Sequence, residues 1–514
     1  MAGRSSTTDS DAVHHRCGTE QFVANSEVIV VSNRQPYRHE WNGDDVTVSR
    51  PTGGLSEGLD AAMREFGGRW IAWGGGNADA LAVDDDRTVS VPPDADAEEQ
   101  YPLERVWLSD EQVEEYYYGF SNRVLWPVCH SALTNVHSED GDWETYTGVN
   151  ERFADAVDDR ASEGDIVWLQ DYHFGRLPEM LRTRLSDEVS LAHFWHIPWP
   201  AWDTFRACPH AEELLRGLLA NDLFGVHVPR YQQNFLRCVD AAIPEAEIDW
   251  DEGRVFSDAG VTTVDAFPLG VDVERIHETA SADGARDRAR QFRDRHGIAD
   301  DSRLAVSVDR LDYTKGIPAR LDAFEHLWET APEWQGELTA VQIGTESRSR
   351  IPAYRDLQEE ISDAVDRINT RFGTDEWQPI VYTTRRVSNE TLYALYRNAD
   401  LGVVTPLRDG MNLVAQEFAA AQVDADDPGV LVLSNQAGFY DLLDGATVSV
   451  SPQVTEEFAA GLETALSMPQ DERCRRVRAL TRETQQHDIS GWVDDVLTRL
   501  ATARDADAGG GEHV

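Results

Sequence analysis

Two cations of different shape lie close together in the stretch SVDRLDYTKGIP, residues 307–318. Arg310 ends an apolar run, and Lys315 follows it as the one lysine in a chain of 514 residues. A forked guanidinium bridges two oxygens and a compact ammonium acts as a point charge, so the pair suits a diphosphate. The alternative is a salt bridge to Asp309 or Asp312. The stretch is therefore a candidate anion site with one open alternative.

A second candidate lies in TPLRDGMNLVAQEF, residues 405–418. Asp409 stands just before a helix predicted to start near Gly410, and Glu417 lies two turns further along. Free N–H groups at a helix start bind phosphate, and carboxylates accept hydrogen bonds from sugar hydroxyls. An N-capping Asp and a solvated Glu are the alternative. The backbone groups expected to face the phosphate are those of Gly410, Met411, Asn412 and Leu413.

Two adjacent glycines mark a third candidate in PTGGLSEG, residues 51–58. Gly53 and Gly54 immediately precede a helical pattern. Glycines at a helix N-terminus let the backbone approach an anion closely. A simple turn is the alternative.

Apolar runs rich in valine and isoleucine alternate with longer amphipathic segments. The first series covers residues 27–33, 165–170, 189–197 and 223–228, and the second covers residues 303–310, 337–344, 378–384, 399–406 and 429–435. Such alternation predicts βαβ units and two doubly wound α/β halves with mostly parallel sheets. Ligands of open α/β sheets bind beyond the carboxyl ends of the strands, so two such halves predict an interdomain cleft.

The halves are expected to join near Pro268 and Gly270. The predicted organisation is a disordered acidic tail over residues 1–25, a first domain over 26–270, a second domain over 271–486, a helix over 487–503 and a disordered tail over 506–514.

The charge balance excludes whole classes of function. The 93 acidic and 46 basic side chains give a formal charge of −47, which repels nucleic acid and anionic lipid. The excess is typical of a surface adapted to high salt, where screening makes self-repulsion tolerable. An acidic disordered protein is excluded because 15 Trp, 17 Phe and 14 Tyr supply material for packed cores.

The sequence indicates neither a metal site nor a membrane span. Its five cysteines lack the spacing of a zinc site or a disulfide framework. It contains no secretory leader and no run of about 18 apolar residues, so a cytoplasmic protein is expected. The acidic runs at 84–86 and 249–251 resemble the DxD signature of metal-using transferases but are interpreted as solvated turns. We therefore expect no metal and no cofactor.

Several blocks in a fixed order resemble one family, the retaining trehalose-6-phosphate synthases of glycosyltransferase family 20. The blocks are VVSNR, TGGL, EYYYGFSNRVLWP, DYH, HIPWP, SVDRLDYTKGIP, the SR of GTESRSR and TPLRDGMNLVAQEF, between about residues 27 and 500. The resemblance implies a GT-B fold, in which two Rossmann-like parallel-sheet domains face an interdomain cleft and the helix over 487–503 returns to the first domain. It also implies transfer of glucose from a nucleotide sugar to glucose 6-phosphate.

The resemblance assigns roles on the donor side. Arg310 and Lys315 would bind the donor diphosphate, which Gly54 would approach from the first domain. Asp409 would hold a glucosyl hydroxyl, and Glu417 would hold the ribose hydroxyls.

The same resemblance assigns the acceptor side. Asp171 of DYH would orient the acceptor sugar, while His196 of HIPWP, assigned to the donor side, would hold the donor's glucosyl group near the reacting bond. The residues that would enclose the acceptor are Arg34 and Arg348 on its phosphate, with Tyr117, Trp126 and Trp73 closing the pocket.

Two positions depart from the family pattern. Gln170 precedes Asp171 where histidine is expected, and Val387 stands near the expected base site, where some relatives carry an aromatic residue. UDP-glucose is the expected donor, while the departures leave the base preference open.

The family mechanism implies transfer on one face of the donor sugar without a protein nucleophile, unlike the two-carboxylate glycosidases. A sister enzyme with another phosphorylated acceptor, such as glycerol 3-phosphate, is the alternative. A dinucleotide-dependent oxidoreductase is disfavoured because no GxGxxG motif follows the first strand of either half. A silent binding protein is disfavoured because Arg310, Lys315 and Asp409 are all present. A homo-oligomer is left open, and a separate phosphatase is expected because the chain has no DxDx[TV] signature.

Overall fold

The computed structural model describes residues 26–50, 54–443 and 445–510. The predicted tail over residues 1–25, Gly53 and residues 511–514 lie outside the described residues. The chain divides into two units, Met1–Phe267 with Ser490–Val514, and Pro268–Ile489. Each unit contains a sheet of its own.

The first unit contains a ten-stranded sheet and a separate hairpin. Its strands are β1 (Val28–Ser32), β2 (Arg38–Asn42), β3 (Asp45–Ser49), β4 (Arg69–Trp73), β5 (Thr88–Val91), β6 (Tyr101–Val106), β7 (Ile166–Gln170), β8 (Ser190–Phe194), β9 (Leu223–Val226), β10 (Glu247–Asp249), β11 (Arg254–Ser257) and β12 (Gly260–Ala266). The sheet order is β10-β11-β12-β9-β8-β7-β1-β4-β6-β5, and β2 pairs with β3 as an antiparallel hairpin. The central strands are parallel, and β1, β7 and β8 are buried along their whole length, as continuous apolar runs predict.

Helices of the first unit connect these strands. They are Gly54–Phe66, Asp79–Ala82, Asp110–Gln112, Trp126–Cys129, Asp142–Asp158, Leu177–Arg182, Trp202–Phe205, Ala211–Leu218, Pro229–Ala242 and Ile489–Gly510, with a π-helical segment Val113–Leu125 and 3-10 turns Ala97–Glu99, Leu133–Asn135 and Tyr172–Phe174. The π-helical segment is bent at Gly119, where ψ is −108°. Such segments occur often at functional sites, and this one carries Tyr117 and leads into Trp126.

The second unit contains a six-stranded sheet in the order β15-β14-β13-β16-β17-β18, in which every pairing is parallel. Its strands are β13 (Arg303–Arg310), β14 (Leu338–Thr345), β15 (Ile380–Thr383), β16 (Leu401–Val404), β17 (Val430–Ser434) and β18 (Val448–Val450). Its helices are Val273–Ser281, Ala285–His296, Ile317–Thr330, Pro352–Phe372, Asn389–Arg397, Leu413–Ala421, Thr455–Leu466 and Gln470–Gln486, with 3-10 turns Tyr313–Lys315, Pro332–Trp334 and Phe439–Leu442. Every strand predicted from the apolar runs is present in one of the two sheets.

The last helix, Ile489–Gly510, packs in the first unit. Trp492 is 2% exposed, and its ring lies 5.1 Å from that of Trp168 on β7 and 4.9 Å from that of Phe194 on β8. The helix continues to Gly510, into the segment that the sequence predicts to be a disordered tail from residue 506. Within the described ranges, no helix is long and apolar enough to cross a membrane.

Candidate active site

The carboxyl ends of four neighbouring parallel strands form one edge of the ten-stranded sheet. Ser32 of β1 is in register with Ala72 of β4 and with Gln170 of β7, and Gln170 is in register with Phe194 of β8. Open α/β sheets bind their ligands at this edge. The predicted site residues that end or directly follow these strands are Arg34, Trp73, Asp171 and His196.

The six-stranded sheet has an equivalent edge. Arg310 ends β13 and is in register with Thr345 of β14, while β16 lies on the other side of β13. Lys315, Arg348 and Asp409 lie in the segments that follow β13, β14 and β16. The fold thus brings these four predicted residues to one sheet edge.

Lys315 pairs with a partner that the sequence did not predict. Its ammonium donates to the Asp409 carboxylate, whereas Asp309 and Asp312 were the predicted alternatives. Arg310 lies 4.0 Å from the Asp312 carboxylate. Asp409 also accepts hydrogen bonds from the Asn412 side-chain amide at 2.8 Å. The cation predicted to bind the diphosphate and the carboxylate predicted to bind a sugar hydroxyl are therefore in direct contact.

The predicted start of the helix after Asp409 is wrong. The helix begins at Leu413, and Asn412 precedes it in the left-handed region at φ 65°. The Gly410 N–H donates to the Asp409 carboxylate at 2.9 Å, so this group is already used inside the loop. Glu417 lies half-buried on the helix. Burial raises the pKa of Tyr396, and the negative charge of Glu417 raises it further.

Arg348 is held in the interior of the second unit. Its residue is 7% exposed, and its guanidinium donates to Tyr354 Oη at 2.7 Å and lies 3.4 Å from the Asp312 carboxylate. Asp312 also accepts hydrogen bonds from the N–H and hydroxyl of Thr314 at 3.1 and 3.0 Å. One buried carboxylate thus links the segment of Arg348 to the turn that carries Lys315.

Asp171 has an unusual backbone. Its φ is 75°, a left-handed conformation that costs a non-glycine residue of order 1–3 kcal/mol. Its N–H donates to the Phe194 carbonyl at 2.7 Å, and its carboxylate accepts the His196 N–H at 3.3 Å. Arg348, at φ 49°, and Asn412 share this feature, so three predicted site residues are among the seven described non-glycine residues with positive φ.

His196 is neutral in this setting. Burial lowers its pKa well below the ordinary value, and the neighbouring His227 and His193 lower it further. Its Nε2 lies 2.9 Å from the Gln170 side-chain oxygen, so Gln170, the departure from the family pattern, is its direct partner.

Aromatic side chains extend the first unit's edge as a continuous chain of rings. Trp73 lies 6.0 Å from Tyr117, and Tyr117 stacks on His173 at 6.0 Å and 8°. His173 stacks on Tyr172 at 4.1 Å, and Tyr172 contacts Trp126 at 5.8 Å. Three predicted pocket residues, Trp73, Tyr117 and Trp126, therefore belong to one cluster. Trp126 is only 4% exposed.

Arg34 and Gly54 complete the predicted set in the first unit. Arg34 is exposed, and its carbonyl accepts the Ser32 hydroxyl at 2.5 Å. Its neighbour Gln35 is buried and bonds both the Asp79 carboxylate, at 2.5 Å, and the Arg105 guanidinium, at 2.9 Å. Gly54 is the first residue of its helix.

Several residues that support the site were not found from the sequence. Arg105, Asp312 and Arg320 are buried charges, and Gln170 was noticed only as a departure. Arg320 had a usable signal, because it falls on the same helix face as the apolar Ile317 and Phe324. The others lie in strands or loops, where the pattern of apolar and polar residues does not distinguish a buried polar side chain from an exposed one.

The DxD-like runs lie in exposed turns. The Asp84 carboxylate accepts the N–H groups of Asp86 and Thr88, and the Asp249 carboxylate accepts that of Asp251. In the part of the chain that the structure describes, no group of three or more His, Cys, Asp or Glu side chains is arranged to hold a metal ion.

These features define a class of protein. Two α/β units with parallel sheets, cations and carboxylates at one sheet edge and an aromatic pocket at another are typical of GT-B glycosyltransferases, and the comparisons below confirm the predicted fold class.

The model of Glycosyltransferase family 20 matches residues 26–502, and the chain belongs to that family. It is 33% identical over 488 residues to an α,α-trehalose-phosphate synthase [UDP-forming] of Pichia angusta, covering 93% of this chain and 99% of the relative. It is 36% identical over 503 residues to a bifunctional trehalose-6-phosphate synthase/phosphatase of Thermoproteus tenax, covering 93% of this chain but 64% of that relative.

Solved structures agree. A Burkholderia xenovorans α,α-trehalose-phosphate synthase in complex with glucose-6-phosphate is 31% identical, with a TM-score of 0.81 over 92% of this chain and 100% of the other. An E. coli structure bound with UDP-2-fluoro glucose is 31% identical, with a TM-score of 0.82 over 93% and 99%. The predicted family and the predicted enzyme class, a hexosyltransferase, are therefore confirmed.

Proposed function

We propose that this protein is an α,α-trehalose-6-phosphate synthase that transfers glucose from UDP-glucose to glucose 6-phosphate and releases UDP. The observation that carries the proposal is the family match over residues 26–502. The relatives named above carry this activity in their names, and their solved structures hold a UDP-glucose analogue and glucose 6-phosphate. The residues expected for donor and acceptor are present at the corresponding positions of this chain.

On the donor side, Arg310 and Lys315 bind the diphosphate, with Gly54 and the backbone at Met411 to Leu413 as further contacts. Asp409 holds a glucosyl hydroxyl, and Glu417 holds the ribose hydroxyls. The contact between Lys315 and Asp409 supports this assignment, because it keeps a cation and an acceptor of hydroxyl hydrogen bonds at adjacent points.

The reaction moves one proton and exchanges one bond on the same face of the sugar. The acceptor hydroxyl oxygen bonds to the donor's anomeric carbon while the bond from that carbon to the diphosphate oxygen breaks. The departing oxygen takes the acceptor's proton. Arg310 and Lys315 stabilise the negative charge that builds on the diphosphate, so they are catalytic without acting as acid or base.

On the acceptor side, Arg34 and Arg348 bind the phosphate, and Tyr117, Trp126 and Trp73 enclose the sugar. Asp171 orients the acceptor hydroxyl, and neutral His196 lies against the glucosyl group. The strained φ of Asp171 and Arg348 supports a functional role for both, because backbone strain clusters at active sites. A neutral His196 avoids placing a second positive charge beside the sugar carbon that becomes electron-poor.

The cofactor requirement, the cellular location and the partners of the protein remain predictions. We expect the reaction to need neither metal nor other cofactor, and we expect a cytoplasmic location and a high-salt optimum. The bifunctional relative is longer than this chain, which spans 64% of it. That a separate phosphatase releases trehalose from the product stays a prediction. A homo-oligomer stays open.

The test is direct. The protein is incubated in high salt with glucose 6-phosphate and the glucose esters of UDP, GDP, ADP and TDP, and products are identified by NMR. An α,α-1,1-linked phosphodisaccharide with UDP-glucose is expected. Glycerol 3-phosphate, run in parallel, tests the alternative acceptor. Absence of the phosphodisaccharide with every donor would contradict the proposal.

A further inference from the structure

A buried arginine lies behind the donor-side cations. Arg320 belongs to the helix Ile317–Thr330, which starts two residues after Lys315, and its side chain is 1% exposed. A guanidinium without water is stable only when its donors are satisfied. The four contacts of Arg320 show where that compensation comes from.

The guanidinium joins four separate segments of the second unit. Nη1 donates to the Asp309 carboxylate at 2.6 Å and to the Gln342 side-chain oxygen at 2.8 Å. Nε donates to the Thr405 hydroxyl at 3.0 Å, and Nη2 donates to the Lys315 carbonyl at 3.3 Å. These partners lie on β13, on β14, just after β16 and in the 3-10 turn.

Three of those segments carry donor-site residues. Asp309 directly precedes Arg310, the Lys315 carbonyl belongs to the second cation, and Thr405 opens the segment that leads to Asp409. One guanidinium therefore links the three segments that carry these residues.

The turn of Lys315 and the loop after β16 also contact each other directly, next to the Arg320 guanidinium. The Leu407 N–H donates to the Thr314 carbonyl at 2.7 Å, which ties the turn to the loop after β16. Gly316 has φ 66°, and a Cβ there would lie 2.4 Å from the Thr405 carbonyl oxygen. The turn of Lys315 thus has little freedom to move relative to the loop of Asp409.

Asp309 is the charged partner that makes Arg320 hard to replace. Its carboxylate is buried, and burial raises its pKa while Arg320 and Lys315 act in the opposite direction. Loss of Arg320 alone leaves this carboxylate without its closest cation, one residue from Arg310.

We infer that Arg320 is a positioning residue for glucosyl transfer, which holds Arg310, Lys315 and Asp409 at the spacing that the donor's diphosphate and sugar require. The inference rests on the proposed function of this sheet edge. A purely structural role for the buried pair is the competing interpretation, and the two differ in what a neutral replacement of the pair restores.

The experiment compares four variants of the full chain with wild type in the same high-salt buffer. Arg320→Met removes the fork, Arg320→Lys keeps a charge without the fork, and Asp309→Asn with Arg320→Met removes both charges. Arg397→Met is the matched control, because Arg397 is a partly buried arginine of the same unit that bonds the carbonyls of Ala421 and Val423 at 2.9 and 2.8 Å. The thermal midpoint, the Kd for UDP by calorimetry and kcat/KM for UDP-glucose are measured.

Positioning predicts that kcat/KM of Arg320→Met falls by about 10²-fold and that its Kd for UDP rises about tenfold or more. Arg320→Lys keeps a midpoint near wild type yet loses about tenfold in kcat/KM, since one ammonium cannot span the four partners. The double variant regains thermal stability but not UDP affinity.

Two results overturn the inference: a double variant that binds UDP as wild type does, or Arg397→Met losing UDP affinity as strongly as Arg320→Met at an equal drop in midpoint. If Arg320→Met itself fails to fold, the double variant still gives the first result, and Arg320→Lys takes the place of Arg320→Met in the second. Wild type that binds UDP but forms no phosphodisaccharide contradicts the proposed function and leaves the Kd comparison valid.

Discussion

At the edge of the ten-stranded sheet the candidate site residues are mostly rings packed on rings, whereas at the edge of the six-stranded sheet they are members of ion pairs. Trp73, Tyr117 and Trp126 belong to one aromatic cluster. Lys315 and Arg348 each face a carboxylate. The first edge is organised by shape and the second by charge.

The difference fits the substrate that each edge is proposed to hold. A hexose presents flat apolar faces and hydroxyls, and an aromatic wall encloses it without charge. A diphosphate needs cations, and cations near one another repel unless carboxylates separate them. Buried pairs of this kind are screened by salt much less than exposed ones, so they would persist in the concentrated salt to which the acidic surface is predicted to be adapted.

The largest expected effect concerns the aromatic packing of the last helix against the ten-stranded sheet. Trp492→Ala removes a ring that is 2% exposed between Trp168 and Phe194, and it should destabilise the chain by about 3–5 kcal/mol. Urea unfolding followed by far-UV circular dichroism measures the loss. Trp492→Phe, as control, should lose much less. An alanine variant as stable as wild type would show that the last helix contributes little to the first unit.

The next effect tests the charged edge. Lys315→Ala should lower kcat/KM for UDP-glucose by about 10² or more, on the order of 3 kcal/mol, because the contact strengthens as charge builds on the leaving diphosphate. Steady-state kinetics at several salt concentrations measure it. An unchanged kcat/KM at all of them would refute the catalytic role of Lys315.

The third prediction concerns how the stability of the first unit, which contains His193, depends on pH. Burial lowers the pKa of His193 to about 4, below its ordinary value of 6.5. The unfolded chain therefore binds a proton first, and stability present above about pH 6.5 is lost as the pH falls towards 4, by about 2 kcal/mol between pH 7 and 5.

Thermal midpoints between pH 7 and 5 measure this loss, and a His193→Gln variant provides the comparison. The variant should show a shallower decline over that window. An identical slope in both proteins would mean that other groups carry the acid sensitivity of the first unit.

The smallest effect asks whether charge alone is enough at the second edge. Lys315→Arg keeps a cation beside Asp409 but replaces a compact ammonium with a planar fork, and kcat/KM should fall about tenfold. The midpoint should stay near that of wild type. Full activity in Lys315→Arg would show that the site requires a positive charge and not its shape.

Much of the fold was predictable because parallel strands buried on both faces appear as continuous apolar runs. Strands β2–β6, β10–β12 and β18 were not predicted, since their apolar runs are short or are interrupted by polar residues. The helix start was placed near Gly410 because the sequence pattern does not show that Asn412 adopts φ 65° and delays the helix to Leu413.

The partner of Lys315 was missed for a related reason. Asp309 and Asp312 are near it in sequence, but Asp409 is 94 residues away and is brought to it by the pairing of β13 with β16. Arg320 was overlooked because an arginine in a helix is normally solvated, although its place on the apolar face of the helix was a signal of burial.

By itself the sequence determined the class of the protein and its family resemblance, because those depend on residue type and on order along the chain. The residues proposed to carry the chemistry were predicted from the same order. Tertiary structure alone decided which charges meet. Asp409 with Lys315, Asp312 with Arg348 and Asp309 with Arg320 pair through strand neighbours and buried side chains, and the distance between two loops is set by the sheet between them.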